Sequence, residues 1–341
     1  MKTFLLSMGL LLQFAYASAQ QKPYYTQYIM NNYILNPAIT GIENYTDVKL
    51  SYRNQWTDID GAPTTMYFSA HTPIGKQDQR KTATSFELPE GSLGDGSWDE
   101  YTPAAPHGGV GIIAINDKTG YISRGSLYGT IAYHIGISPK TSIAAGFLGG
   151  VSKMTLDRTQ IKWATLNPND PAIGYNENLK RFKPEVGAGI WIYSSDYFIG
   201  GSVLNIVPGK VTFTDKANYG NSFDPQYLGT AGVRFALNPD LSALPSVMIQ
   251  YVKDFPVQIH YNLKMQIQDK AWAGVSYRAT DDLGGFAAMA GLNVNSTFNV
   301  SYAYDVPSKT KYMTKTGNTH EIVLGFMLSN MEGILCPRNI W

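Results

Sequence analysis

Short runs of alternating apolar and polar residues dominate the chain, and helical spacing is almost absent. In GSLYGTIAYHIGI, Leu127, Ile131 and Tyr133 fall on one face, while Thr130 and His134 fall on the other. The stretch FNVSYAYDV repeats this pattern near the C-terminus. A period of two residues predicts β-strands with one apolar and one polar face.

About fourteen such segments, each roughly ten residues long, lie between clusters of turn residues. The predicted strands are 46–53, 64–72, 107–117, 121–137, 141–155, 183–194, 197–206, 226–237, 242–253, 255–268, 271–280, 283–294, 296–306 and 319–329. Glycines such as Gly146 and Gly189 lie inside them, where they allow bending and close backbone approach. No internal repeat of fixed length is evident, which disfavours a propeller.

The connections between these segments are mostly short on one side of the predicted fold, and the long ones fall on the other side. With the N-terminus on one side, the turns that return to that side are mostly tight, among them SPK, SSD, NPD and QDK. Longer connections, at 156–182, 207–225 and 307–318, fall on the other side. Bacterial outer-membrane barrels combine short periplasmic turns with long external loops. We therefore predict an all-β fold: a transmembrane antiparallel β-barrel of the outer-membrane type, with about 14 strands and both termini in the periplasm. A β-sandwich or a soluble two-domain all-β protein is the alternative.

The first residues have the pattern of a secretory signal peptide. Lys2 precedes an apolar stretch from Phe4 to Leu12, and Ala17-Ser18-Ala19 forms a small-residue cleavage site. The apolar stretch is too short to anchor the chain in a bilayer. We expect cleavage near Ala19 and localisation in the bacterial outer membrane as an integral protein.

Composition excludes several other classes. Charged residues make up 16% of the chain, against about 25% in soluble domains. Aromatic residues make up 13%, with 23 tyrosines. A net charge of +1 gives no electrostatic reason to expect a nucleic-acid partner. The one cysteine excludes an internal disulfide framework, and no apolar run after the signal peptide is long enough for a transmembrane helix.

These patterns divide the chain into a signal peptide (1–19), an N-terminal segment (20–45), a barrel (46–329) and a C-terminal periplasmic tail (330–341). Residues 73–106 interrupt the barrel with charges, glycine and proline, so we expect an irregular insertion there. The segment 20–45 is too polar for lipid and too aromatic for a free tail. It either packs in the lumen, where its backbone can be satisfied, or runs along the periplasmic surface to a partner.

Catalytic and metal-binding patterns are absent from the sequence. The five histidines, His71, His107, His134, His260 and His320, show no H-x-x-x-H spacing and no neighbouring cysteine. The glycines at 108–111 lack the lysine of a phosphate loop, and the acidic pairs at 58–60 and 281–282 do not fit a calcium loop. We therefore expect no enzyme, no metal and no cofactor. A Ser–His pair formed across strands leaves a barrel enzyme as a distant alternative.

Three segments resemble signature segments of the PorP/SprF family, outer-membrane proteins of the type IX secretion and gliding machinery of Bacteroidetes. They are YYTQYIMNNYILNPAITG, YRNQWTDIDGAPTTMYFSAHTPI and the terminal CPRNIW. The candidates for family-motif or partner-contact residues are Asn36, Pro37, Arg53, Asn54, Gln55, Trp56, Gly61, Pro63, Cys336 and Pro337. The long segment 73–106 departs from the compact form expected of the family at that point.

The resemblance implies a role in protein secretion rather than in catalysis. The implied partners are outer-membrane lipid and other type IX secretion components, such as a periplasmic ring or a peptidoglycan-linked protein. A large secreted adhesin, whose export or surface attachment the protein would support, is a further implied partner. The alternative is an outer-membrane channel or hydrophobic-solute transporter of the same architecture, which requires an open lumen.

The predicted topology can be tested by cysteine labelling of intact cells. Asn169→Cys and Asn221→Cys lie in the long connections and should react with an impermeant reagent from outside. Pro139→Cys and Pro239→Cys lie in the tight turns and should not react. The reverse labelling pattern would contradict the orientation.

Overall fold

The computed structural model describes residues 26–76, 105–138, 141–157, 179–211, 221–238, 240–267, 270–280, 284–307 and 317–329. Within these ranges, three short 3₁₀ helices precede the strands, at Tyr28–Met30, Asn32–Ile34 and Pro37–Ile39. The strands of the described residues are β1 (Thr46–Asn54), β2 (Thr64–Ile74), β3 (His107–Thr119), β4 (Ile122–Ser138), β5 (Thr141–Leu156), β6 (Leu179–Tyr193), β7 (Tyr197–Leu204), β8 (Gly209–Val211), β9 (Asn221–Phe223), β10 (Gln226–Val233), β11 (Phe235–Asn238), β12 (Leu241–Val252), β13 (Gln258–Ile267), β14 (Ala271–Ala279), β15 (Gly285–Asn293), β16 (Phe298–Pro307) and β17 (Thr319–Leu328). Within the same ranges, no helix has both the length and the apolar character needed to cross a membrane.

The strands close into one antiparallel barrel. Neighbours in sequence pair from β1 to β7 and from β12 to β17, and β10 pairs with both β7 and β12. The first and last strands then close the ring, with Thr46 opposite Leu328 and Asn54 opposite His320. Strand β11 continues β10 beyond Arg234 and also pairs with β12. Because β10 and β11 together occupy one position in the ring, the barrel has 14 strand positions. The predicted outer-membrane type of barrel is confirmed, and β8 and β9 form a separate two-stranded sheet.

Most strands lie within a few residues of their predicted positions. The predicted strand 121–137 is observed as Ile122–Ser138, and the predicted strand 319–329 as Thr319–Leu328. The clearest difference is β6, which begins at Leu179 rather than at residue 183. It begins early because its pairing with β5 continues out to Leu156, opposite Leu179.

The two ends of the barrel differ in the length of their connections. We call the end at which β1 begins the near rim, and the opposite end the far rim. Between the strands, the near-rim connections are 139–140, 194–196, 239–240, 268–270 and 294–297, whereas those at the far rim include 55–63, 157–178, 205–225 and 308–318. The exception at the near rim is 75–106. Strand β2 extends to Ile74, two residues into the expected insertion, and most of the remainder of that insertion lies outside the described residues.

Burial alternates along the strands and identifies their faces. In β16, Tyr302 and Tyr304 point outward, while Ser301 and Asp305 are buried inside the ring. Outward tyrosines recur toward the far-rim ends of other strands, at Tyr52, Tyr227, Tyr251, Tyr261 and Tyr277. Aromatic residues on the outside, above an apolar band, are typical of the membrane interface of a barrel.

The buried core lies inside the barrel. It combines inward side chains of the wall with residues 26–45, which we call the lumen segment. Almost every residue of the lumen segment is buried, including the side chains of Tyr33, Ile39 and Ile42. The described part of the N-terminal segment therefore lies in the lumen. The preceding residues 1–25 and the tail from 330 onward lie outside the described residues.

The assignment of faces predicts opposite responses to arginine. Val275 on β14 is 56% exposed on the outer face, and Val275→Arg should cost about 2–4 kcal/mol because it places a charge in hydrocarbon. Gln250→Arg places the same side chain on the inner face of β12 and should be tolerated. The folded fraction is measured by heat-modifiable migration in SDS gels. Equal losses of folded protein would contradict the assignment.

Candidate functional site

The lumen segment begins with polar contacts to the last two strands. The backbone N–H of Thr26 donates to Glu321 Oε2 at 2.9 Å, and its hydroxyl donates to Asp305 Oδ2 at 3.1 Å. Gln27 Nε2 donates to the backbone oxygen of Glu321 at 2.8 Å. Because Asp305 and Glu321 lie near the far-rim ends of β16 and β17, the segment runs from there toward the near rim, where β1 begins.

In mid-lumen the segment is held from all sides of the ring. Asn31 Nδ2 donates to Ser69 Oγ of β2 at 2.9 Å, and the Tyr33 hydroxyl lies 2.6 Å from Thr130 Oγ1 of β4. Ser202 Oγ of β7 donates to the backbone oxygen of Leu35 at 2.6 Å. Asn262 Nδ2 of β13 donates to the Tyr28 hydroxyl.

Asn36 and Pro37 lie at the closest contact between the lumen segment and the wall. Asn36 caps the third 3₁₀ helix, since its Oδ1 accepts from the backbone N–H of Ala38 at 3.0 Å and proline follows it. Its Nδ2 donates to the backbone oxygens of Ile190 at 3.1 Å and Gly201 at 3.2 Å, on adjacent strands.

Two wall glycines make this contact possible. A Cβ at Gly189 would lie 2.0 Å from Asn36 Oδ1, and one at Gly146 would lie 2.4 Å from the backbone oxygen of Pro37. Both distances are far below van der Waals contact. These two strand glycines therefore allow the close backbone approach that their positions suggested.

Three histidines hold the segment near the near rim. His134 Nε2 donates to the backbone oxygen of Thr40 at 2.9 Å, and His107 Nε2 donates to that of Gly41 at 3.1 Å. The N–H of Gly41 in turn donates to His71 Nδ1 at 3.1 Å. The rings of His107 and His134 stack with their centroids 4.6 Å apart. These histidines thus bind peptide groups, and within the described residues no group of three or more His, Cys, Asp or Glu could hold a metal ion.

A buried ionic network surrounds the start of the segment. Arg53 Nη2 lies 3.6 Å from Asp305 Oδ2, and Arg53 Nε lies 3.8 Å from Glu321 Oε2. Arg278 Nη2 approaches the same Asp305 oxygen to 2.5 Å. Pairing is required because an isolated buried charge would be costly. Arg53 therefore acts inside the lumen, beside Thr26, rather than on a rim surface.

The remaining sequence candidates fall mainly in the far-rim connection 55–63. Asn54 is the last residue of β1, and the N–H of Gln55 donates to Pro63 O at 2.9 Å. Trp56 and Gly61 both have positive φ, 55° and 75°, which fixes a tight loop. The candidates are therefore divided between the lumen (Asn36, Pro37, Arg53) and this loop. Cys336 and Pro337 lie outside the described residues.

A cavity remains between the lumen segment and the far rim. Its volume, including the open mouth, is about 860 Å³. Tyr28, Ile34 and Leu35 form its floor, and inward side chains of β3, β4, β5, β6, β7, β10, β12 and β13 form its wall. In that wall Arg124 Nη2 donates to Glu185 Oε1 at 2.6 Å, and the Tyr128 hydroxyl donates to Glu185 Oε2 at 2.7 Å. Sequence reasoning missed this site, because eight strands each contribute only one to three residues.

A family model described as type IX secretion system membrane protein PorP/SprF matches residues 17–326. No curated protein matches the chain.

Solved structures with a similar fold are outer-membrane barrels. The CymD monoaromatic hydrocarbon channel is 11% identical, with 89% of this chain and 91% of that chain covered and a TM-score of 0.45. The toluene transporter TbuX of Ralstonia pickettii is 9% identical, with 88% and 92% covered and a TM-score of 0.45. Omp33 of Acinetobacter baumannii is 10% identical, with 85% and 100% covered and a TM-score of 0.36. Similarity at this level says nothing about what this protein binds.

The contact of Asn36 with the wall predicts a specific loss of stability. In Asn36→Asp a carboxylate would face two backbone oxygens, and both donated hydrogen bonds would be lost. We expect a cost of at least about 2 kcal/mol, seen as a lower temperature for loss of the folded band in SDS gels.

Asn295→Asp is the matched control. Asn295 uses only its Oδ1, which accepts from the backbone N–H groups of Thr297 and Phe298 in an exposed turn, and aspartate retains that acceptor. Equal stability of the two variants would show that the Asn36 contacts do not hold the segment.

Proposed function

The chain belongs to the PorP/SprF family of type IX secretion system membrane proteins, and on that basis we propose that it is a non-enzymatic outer-membrane component of this machinery. In this proposal the barrel anchors and docks other components, and it supports the export or surface attachment of a client adhesin. Signal-peptide cleavage near Ala19 and periplasmic termini belong to the same proposal.

The observation that carries the proposal is the filled lumen. The lumen segment is hydrogen-bonded to β2, β4, β6, β7, β13 and β17, and at its end three histidines hold Thr40 and Gly41. We expect such a segment to block a continuous water path through the ring. A barrel filled in this way is suited to presenting its rims to partners, whereas a diffusion channel needs an open lumen.

The near rim is the better docking surface for a periplasmic partner. Three parts of the chain meet there: the start of β1, the two ends of the insertion between β2 and β3, and the end of β17. Lys76, at the start of the insertion, donates from Nζ to the backbone oxygen of Ile42 at 3.2 Å. A polar groove of about 550 Å³, including its open side, lies between Asn44, Thr72, Lys76 and Ser329. We assign this rim to the periplasmic ring or a peptidoglycan-linked protein.

The far rim is the proposed side for the client. The candidate residues Gln55, Trp56, Gly61 and Pro63 lie in its connection 55–63, which is tied to β17 because the N–H of Thr57 donates to Asn318 O at 3.1 Å. A short fixed loop of this kind can carry a recognition surface.

Comparison of exported proteins tests the function directly. Deletion of the gene should remove a defined subset of surface proteins from the exported proteome, and the wild-type gene should restore them. A variant that lacks 77–104 should fold, because Ile74 and Gly108 are already paired, but it should lose co-purification with periplasmic partners. A variant with a shortened 157–178 connection, at the opposite rim, is the control and should retain them. An unchanged exported proteome in the deletion strain would overturn the proposal.

The channel or hydrophobic-solute transporter is the second candidate. Planar-bilayer recordings distinguish it from the proposed role. Wild-type protein should show background conductance, and deletion of 20–40 should produce conductance in a barrel that still folds. Conductance of the wild-type protein would favour the channel.

A further inference from the structure

We propose that the cavity above the lumen segment is a binding site for one small, uncharged amphiphile, a molecule with an apolar body and a single hydrogen-bonding end. The site goes beyond the docking role, because it uses the interior of the barrel rather than its rims. The cavity is defined by the lining residues given above, between the floor at Tyr28, Ile34 and Leu35 and the mouth at the far rim.

The size and position of the cavity suit a small molecule. About 80 Å³ of the cavity is open to the centre of a water-sized sphere, several times the roughly 10–15 Å³ that one water needs by the same measure. Asp117 and Arg124 lie close to the far-rim ends of β3 and β4 and mark the mouth. The floor is part of the lumen segment, so the cavity ends there and offers a binding site rather than a passage.

One side of the cavity is apolar. Ile113 of β3, Leu148 of β5 and Met248 of β12 are buried inward side chains, 1%, 7% and 3% exposed. Leu204 of β7 and the floor residue Ile34 continue the same surface. Aliphatic side chains are unusual on the inner face of a barrel, where polar residues satisfy the lumen. Their grouping around one space favours an apolar ligand.

Beside Met248, at the edge of this apolar surface, the wall offers a hydrogen-bonding group. His260 of β13 is 5% exposed, and its Nε2 has no hydrogen-bond partner among the described residues. Its ring lies edge-on to that of Tyr28, with centroids 5.7 Å apart, and Met248 is its register partner on β12. A buried polar atom without a partner is costly. A ligand hydroxyl would satisfy this nitrogen while its apolar body packs against Met248 and Leu148.

The charges of the wall disfavour an acidic ligand. Arg124 is paired with Glu185 at 2.6 Å, and Asp117 accepts from Thr65 Oγ1 at 2.6 Å. One cation and two carboxylates give these three residues a formal charge of −1. The guanidinium is therefore already neutralised, and a carboxylate ligand would meet net negative charge. An alcohol or a phenol fits better than a fatty acid.

Equilibrium dialysis of the full-length protein in nanodiscs tests the site, with radiolabelled 1-naphthol as the probe and empty nanodiscs subtracted. We expect saturable binding of one 1-naphthol per protein and at least about tenfold weaker binding of 1-naphthoate, which has the same ring system with a carboxylate. His260→Phe should weaken 1-naphthol about fivefold, the effect of one hydrogen bond. The same variant should leave naphthalene binding unchanged.

Filling the cavity provides the control. Leu148→Trp and, independently, Ile115→Trp should abolish binding, whereas Leu263→Trp on the outer face of β13 should not. Each variant is first checked for the heat-modifiable folded band, and either filled variant suffices if the other does not fold. The proposal is overturned if the wild-type protein shows no saturable binding, if a folded filled variant still binds 1-naphthol, or if 1-naphthoate binds as well as 1-naphthol.

Discussion

Backbone hydrogen bonding within hydrocarbon is the constraint on which the rest of this structure depends. Peptide groups that face lipid find no water, so every strand must have a partner on both sides. Pairing of β1 with β17 meets that need by closing the ring. A barrel of 14 strands is also too wide for the wall side chains to fill its interior, since inward side chains alone fill a barrel of only about eight strands. The lumen segment supplies the missing volume and polar partners.

How much of this was predictable from the sequence depends on which medium each residue faces. Lipid on one side of a strand forces a period of two, so the faces of Tyr302, Ser301 and Asp305 in β16 could be predicted from FNVSYAYDV. The alternation of short and long connections then predicted antiparallel strands closed into one barrel. The early start of β6 was missed, because Lys180 and Arg181 weaken the apolar signal before residue 183.

The interior was less predictable, because its contacts join residues that are distant in sequence. No local feature of the sequence 20–45 distinguishes a segment that packs in the lumen from one that runs along the periplasmic surface. What decides is that Glu321, Ser69 and Asn262 supply its hydrogen-bond partners. Arg53 shows the same limit: it follows a strand pattern, yet its partners Asp305 and Glu321 are on the last two strands. The cavity is harder still to foresee, since His260 and Leu148 become neighbours of one space only when the ring closes.

The path of the lumen segment also has a topological consequence for assembly. Thr26 bonds to Glu321, which is 295 residues later in the chain, and contacts of such separation form late because the intervening chain must first be ordered. By this argument we expect the Thr26 end of the segment, although it is synthesised early, to be among the last parts of the chain to be secured. If the ring closed first, the segment would have to thread through a finished rim against packed side chains such as Trp191 and Tyr193. Insertion while β1 and β17 are still unpaired avoids that barrier. Pairing of these two strands then encloses the segment in the lumen.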